Sequence, residues 1–201
     1  MSLPAPMLAR PATLPLGSGF AYELKFDGFR AIVSTARGLE VRSRRGWSMT
    51  ELVPELDELP PGLVLDGELV ALGDDERPSF PRLSRRLLHG REGIPVTYVV
   101  FDVLAQNGVR VMHLPYERRR RILEELELQG PAWCTPDRFD DGEALFRAVE
   151  AQGLEGIVAK PLASTYQPGE RGWLKVKNRS YWRFGQELEL ARSHRRVRQI
   201  V

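Results

Sequence analysis

Seven short stretches rich in β-branched and other apolar residues recur along the chain, at 21–25, 30–35, 39–42, 63–72, 96–104, 156–160 and 173–176, most of them separated by turns that contain glycine. Helical periodicity is clear in only two places. At 116–128, Ile122, Leu123 and Leu126 follow the start signal of Pro115, and a second amphipathic run occupies 142–152. Weaker helical patterns lie at 51–59 and 80–88. Strands that come as hairpin-like neighbours, with helices inserted singly or in pairs, exclude strict βαβ alternation. The pattern predicts an α+β fold of mainly antiparallel sheets flanked by helices. An irregular lead-in over 1–19 and a basic tail over 185–201 are expected on either side.

The longest apolar stretch, 94–105, is interrupted by Thr97 and Asp102 and is shorter than the ~20 residues of a membrane span. The N-terminal segment is rich in proline and lacks the pattern of a signal peptide, and the single Cys134 has no partner for an internal disulfide. A reducing cytosol and a monomer are the expectation. Net charge is +2, yet four successive stretches differ: 1–50 carry 7 basic and 3 acidic residues, 51–110 carry 6 and 11, 111–160 carry 7 and 10, and 161–201 carry 9 and 3. Basic ends around an acidic middle suit a polyanion if the fold brings the ends to one face; solvated arginine surfaces account for the same counts. Of the 29 basic residues, 25 are arginine and only Lys25, Lys160, Lys175 and Lys177 are lysine. Arginine stays charged, whereas a lysine can become a neutral nucleophile, so each lysine poses a chemical question.

Glu23, Lys25 and Asp27 are spaced two apart around a strand end, and Gly28 permits close backbone approach. Taken alone, that pattern equally fits a solvated ladder of ion pairs. Ser43-Arg44-Arg45-Gly46 closes the next strand, and Asp66-Gly67-Glu68 sets two carboxylates inside an apolar strand, where each is costly unless paired. Glu68 is therefore expected to have a dedicated partner. Phe101-Asp102 repeats the theme. Glu155 opens a strand with a carboxylate suited to a hard divalent cation, while Lys175 and Lys177 share a strand face, where a phosphate between them would relieve their repulsion.

These six segments, in this order, resemble the nucleotidyltransferase motifs of ATP-dependent DNA ligases: K-x-D-G-x-R at Lys25, S-R-x-G at Ser43, D-G-E at Asp66, F-D at Phe101, E-G-x-V-x-K at Glu155 and W-x-K-x-K at Trp173. Each is weak alone, and six in order at suitable separations make chance improbable. The lead-in Pro6-Met7-Leu8-Ala9 resembles that of bacterial ligases of the end-joining type. The resemblance covers residues 6–177 and all four lysines fall inside its motifs. It implies the nucleotidyltransferase (ATP-grasp-like) fold, with an adenylation domain over 20–184.

It also implies a covalent lysyl-AMP intermediate on Lys25, formed from ATP with Mg2+ and passed to the 5′-phosphate of nicked DNA. Glu23 would recognise the adenine amino group, Phe101 would stack on the base, and Arg30 and Glu68 would hold the ribose. Lys175 and Lys177 would neutralise the α-phosphate. Glu155, with Asp27 in support, would bind the metal, and Arg44 would contact the 5′-phosphate of the nick. Asp66 and Asp102 are read as structural, and Lys160 lies at the edge of its motif. The implied partners are nicked or broken duplex DNA and proteins of end joining or repair, with no membrane.

The pattern departs from the family after Lys177, where an oligonucleotide-binding β-barrel of ~100 residues would follow and only 24 residues remain. A nucleic-acid-binding or regulatory module with little turnover, or an RNA ligase, is the alternative to a DNA ligase. The aromatic and arginine residues Tyr181, Trp182, Arg183 and Phe184 could stack on nucleic acid or dock on the domain.

Overall fold

The computed structural model describes residues 3–15, 17–89 and 93–181. All seven stretches expected as strands are strands: β2 (Phe20–Leu24), β3 (Phe29–Ser34), β4 (Glu40–Ser43), β5 (Leu63–Val70), β6 (Thr97–Gln106), β9 (Gly156–Pro161) and β10 (Trp173–Lys177). Three short ones join them, β1 (Ala9–Pro11), β7 (Val109–Arg110) and β8 (Trp133–Cys134). The segment expected to be an irregular lead-in thus contributes an edge strand. Too short and proline-bounded to show a period, it is held by parallel pairing to β10, with Ala9 opposite Trp173.

The strands form two sheets, one in the order β1-β10-β9-β2 and one in the order β4-β3-β5-β6-β7, with β8 beside β6. Most pairings are antiparallel, and among the described strands only β1 with β10 and β8 with β6 run parallel. The helices α1 (Phe80–His89), α2 (Tyr116–Glu125) and α3 (Gly142–Ala151) fall where periodicity placed them. The 51–59 pattern differs: Pro54 divides it into two 3-10 turns, Thr50–Leu52 and Pro54–Glu58, because proline cannot donate into a continuous helix.

Three apolar clusters define the layers. α3 packs Leu145 and Val149 on the outer face of the four-stranded sheet, against Tyr22, Ile157 and Ala159. α1, α2 and the 3-10 turns cover the outer face of the larger sheet with Leu83, Leu87, Leu123 and Leu56. Between the sheets lies a third cluster of Met7, Ile32, Leu104, Tyr166 and Trp173. Strand alternation assigns the faces: Ala31 and Val33 point to the helices, while Ile32 points between the sheets. The same alternation carries Arg30, Asp66 and Glu68 toward the inter-sheet space. No helix among the described residues is long and apolar enough to cross a membrane.

Candidate active site

A cleft of about 790 Å³ opens between the two sheets, and Lys25, Glu68, Phe101, Glu155, Lys175 and Lys177 all line it. Cross-strand register explains the gathering. Val158 of β9 lies opposite Glu23 on β2 and opposite Lys175 on β10, and residues paired across an antiparallel ladder share a face. Lys25 follows β2 directly, and its N–H donates to the Gly156 carbonyl at 2.9 Å, which sets it beside Glu155. The turn after it demands glycine: a Cβ on Gly28 would lie 2.1 Å from the Leu69 carbonyl oxygen. Gly156 is equally constrained, since its Cβ would meet the Val176 carbonyl oxygen at 2.2 Å.

At the mouth, Lys25 Nζ lies 2.7 Å from Glu155 Oε1 and Lys177 Nζ lies 3.6 Å from the same oxygen. Lys177 thus shares a protein carboxylate with Lys25. Glu155 Oε2 is buried and accepts no hydrogen bond. Burial pushes the Glu155 carboxyl above its usual range and the nearby Asp27 adds to the shift, while Lys25 and Lys177 oppose it. Asp27 accepts from the Tyr181 hydroxyl at 3.0 Å. An unsatisfied carboxylate oxygen beside a second carboxylate suits a hard divalent cation that takes its remaining ligands from phosphate and water. Among the described residues no group of three or more His, Cys, Asp or Glu could hold a metal by itself, so Glu155 and Asp27 fit a shared site rather than a closed cage.

The inner end is built differently. Asp66, fully buried, receives Arg30 Nε at 2.5 Å and Nη2 at 2.6 Å, and the Tyr166 hydroxyl at 2.6 Å. Arg30 Nη2 also donates to the Met7 carbonyl at 3.1 Å, and Tyr166 Oη accepts from the Met7 N–H at 2.8 Å. The Arg30 guanidinium lies 4.5 Å from the centre of the Phe101 ring. Asp102 is held by both Nε and Nη2 of the buried Arg119, at 2.8 and 2.9 Å. Glu23, 2% exposed, accepts from the Tyr116 hydroxyl on one oxygen, while Lys160 Nζ lies 2.7 Å from the other. Lys160 donates as well to the Phe101 carbonyl at 3.0 Å. Burial lowers the Lys160 pKa, against the opposing pull of Glu23 and Asp102.

One expectation needs correction. Glu68 has no dedicated partner: the arginine fork goes to Asp66, and no hydrogen bond or ion pair to Glu68 is made among the described residues. Desolvation raises its carboxyl to about 7 despite the cations Lys25 and Arg30. Glu23, Lys25 and Asp27 all line the cleft, with Glu23 bound by Lys160 and Tyr116. Arg44 is exposed on the turn after β4 and lines the cleft with Arg45. The basic tail, with Trp182, Arg183 and Phe184, lies outside the described residues.

Sequence reasoning missed Tyr116, Arg119, Arg120 and Tyr166. A signal existed for the first three. The buried residues of α2 are Tyr116, Arg119, Arg120 and Leu123, at the i, i+3, i+4, i+7 spacing of a buried stripe, so two arginines occupy apolar positions and require buried anions. Nothing local marks Tyr166, which reaches Asp66 across 100 residues of sequence.

The sequence model described as the ATP dependent DNA ligase domain matches residues 6–177. The multifunctional non-homologous end joining protein LigD of Mycolicibacterium smegmatis is 37% identical over 184 residues, which cover 86% of this chain and 24% of that protein. The SPbeta prophage-derived DNA ligase-like protein LigB of Bacillus subtilis is 33% identical over 184 residues, covering 88% of this chain and 68% of LigB. A solved mycobacterial DNA ligase D, complexed with ATP and MES, superposes with a TM-score of 0.77 at 33% identity, over 87% of this chain and 60% of that one. The chain therefore spans about a quarter of the full-length LigD and over half of the solved ligase chain. Chlorella virus DNA ligase-adenylate shares the fold at a TM-score of 0.65 and 19% identity, over 88% of this chain and 69% of that one. With its motifs drawn from two sheets into one cleft and the family match running through all six, the chain belongs to the ATP-dependent DNA ligases and comprises their adenylation domain.

Proposed function

We propose that this chain reacts with ATP at Lys25, carries AMP as a phosphoramidate, and passes it to the 5′-phosphate of nicked or broken duplex DNA. The observation that carries the reading is the lysine amine at the mouth of the cleft, 2.7 Å from a half-satisfied buried carboxylate and beside a second cationic side chain. In the first step Lys25 Nζ bonds to the α-phosphorus, the bond from that phosphorus to the bridging β-oxygen breaks, and pyrophosphate departs. Lys25 has to shed a proton to attack, and Glu155 Oε1 is the nearest acceptor. Lys175 and Lys177 face the charge that grows on the α-phosphate. A divalent cation held by Glu155 and Asp27 would supply charge neutralisation to the phosphates.

The base fits the inner end, on Phe101 and within reach of Glu23, and the ribose fits Arg30 and Glu68. Arg30 commits Nε and Nη2 to protein acceptors and keeps Nη1 for a ligand hydroxyl. In the second step an oxygen of the DNA 5′-phosphate, held by Arg44, attacks the same phosphorus, the bond from phosphorus to Lys25 Nζ breaks, and Lys25 leaves as the free amine with the proton that Glu155 took in the first step. End-joining or repair proteins are the partners this reading implies.

Incubation with ATP and magnesium adds the mass of one AMP to the chain, the label maps to Lys25, and Lys25→Ala takes up none. A chain that binds nicked DNA yet gains no AMP would instead be a binding module.

A further inference from the structure

The turn that follows β4 carries Arg44, Arg45, Gly46 and Trp47, all exposed. Trp47 is 46% exposed, one of few large apolar side chains so placed, and belongs to none of the three apolar clusters. The turn is nevertheless firmly built. The Ser43 N–H donates to the Trp47 carbonyl at 2.8 Å, the Gly46 N–H to the Ser43 carbonyl at 2.8 Å, and the Trp47 N–H to Ser43 Oγ at 3.0 Å. Gly46 takes the left-handed φ of 81° that closes such a turn. A single exposed apolar residue needs no explanation, but this one stands on a rigid turn beside two arginines that make no ion pair or hydrogen bond among the described residues. All three side chains border the cleft that holds Lys25, and the half-exposed Leu88 of α1 borders it too.

We infer that Trp47 is a nucleic-acid contact, its indole packing against a deoxynucleoside of the nicked strand whose phosphates Arg44 and Arg45 hold. The inference rests on the reading of the cleft as an AMP-transfer site that receives DNA. Charge complementarity selects the occupant: two guanidiniums without an ion pair among the described residues suit phosphates, and an aromatic face beside them at the cleft suits a base or sugar, which every nucleotide offers regardless of sequence. The end of a nicked strand is suited to this contact, because its terminal base unstacks at less cost than one inside a duplex. An acidic protein surface would satisfy the arginines but leave the indole without a matching planar group.

The test separates the two kinds of contact. Binding of the full chain to a nicked DNA duplex is followed by fluorescence anisotropy across a salt series. Trp47→Ala weakens binding about tenfold, as expected for one lost stacking contact, and leaves the salt slope unchanged. Arg44→Ala and Arg45→Ala each reduce that slope by about one. Trp47→Phe recovers most of the affinity. Transfer of AMP to the nick, measured from chain already charged with AMP, follows the same order at limiting DNA. Equal affinity of Trp47→Ala and parent would overturn the inference, as would failure of Trp47→Phe to rescue or absence of nicked-duplex binding by the parent. AMP uptake at Lys25 without DNA is read separately, so failure of the adenylation reading is not confused with failure of the Trp47 contact.

Discussion

The two ends of the cleft solve the problem of buried charge in opposite ways. At the inner end Asp66, Asp102 and Lys160 are at most 1% exposed, and each has its counter-charge inside the protein at hydrogen-bond distance. At the mouth Lys25 and Lys177 are 22% and 18% exposed, share one oxygen of Glu155, and leave the other without a partner. A paired and hydrogen-bonded ion fixes geometry but gains little net stability over an apolar replacement. The inner end is therefore a frame whose main charges are paired before any ligand arrives, although the buried Arg120 Nη1 and Trp173 Nε1 have no hydrogen-bond partner among the described residues. The mouth is left open at the buried Glu155 Oε2, which has no hydrogen-bond partner and which a metal ion bound with a phosphate chain would engage. Base and ribose would dock on walls whose main charges are already paired, while the reacting phosphates would reorganise only a few partly hydrated side chains.

The sharpest test of the mouth is Lys25→Arg. Arginine still pairs with Glu155 but offers no neutral amine, so AMP attachment falls below detection while the thermal midpoint stays close to that of the parent. Intact-mass analysis and a melting curve read both. A covalent adenylate on the Arg variant would break the assignment of the nucleophile.

The corresponding insult at the inner end affects stability instead. Asp102→Asn leaves Arg119 buried without its anion, and a broken buried pair costs about 3–5 kcal/mol, read from the denaturant midpoint. Replacing both partners, as in Asp102→Leu with Arg119→Met, should restore much of the loss. If the single change is as mild as a surface substitution, the inner end is not the paired frame described. Lys160→Met removes a cation from both Glu23 and the Phe101 carbonyl, and the expected loss is smaller, about 1–3 kcal/mol, because Tyr116 still donates to Glu23.

How much of this contrast the sequence disclosed follows from the range of each interaction. The mouth was legible: Lys25, Glu155, Lys175 and Lys177 belong to short motifs, and two-residue strand periodicity gave their shared faces. The seven main strands showed through the same local signal, whereas β1, β7 and β8 are too short to display a period. The inner frame was half legible. That Asp66 and Asp102 require partners follows from desolvation alone, but which residues supply them depends on contacts between distant segments. Arg30 stands opposite Glu68 in the register of β3 and β5 but reaches diagonally to Asp66, Arg119 reaches Asp102 from α2, and Tyr166 closes over Asp66 from the loop before β10. The expectation for Glu68 failed for the same reason, since two carboxylates two residues apart compete for one arginine and the more buried one takes it.

Glu155→Gln tests whether the mouth is completed by a cation. The amide keeps the shape of the carboxylate but loses its charge, so the magnesium concentration for half-maximal AMP uptake should rise about tenfold, equivalent to about 1.4 kcal/mol of cation binding. Tight-binding contacts of the base and ribose at the inner end remain. Identical magnesium dependence in the variant and the parent would remove Glu155 from the cation's ligands.

Glu68 sits between the two regions, and its smaller effect sharpens where the frame ends. In the nucleotide-free protein its carboxyl is raised by desolvation from the usual 4.5 to about 7. Between those values the folded state holds a proton that the unfolded chain releases, so the native state is favoured at the acid side and stability declines as pH rises through the window. Above it the carboxylate is ionised in both states and its desolvation cost is fully expressed. Glutamine mimics the protonated form. Glu68→Gln should therefore melt with the parent at the acid limit and above it at a pH of about 8, by a few degrees, as a loss of order 1 kcal/mol in a domain of this size implies. Glu155, raised by burial as well, leaves a residual slope in both proteins. Added ATP should narrow the gap at alkaline pH, because ribose hydroxyls can donate to the ionised carboxylate but gain less from the amide. Parallel melting curves for the two proteins across the whole pH range would show that Glu68 is solvated like the mouth rather than held like the inner frame.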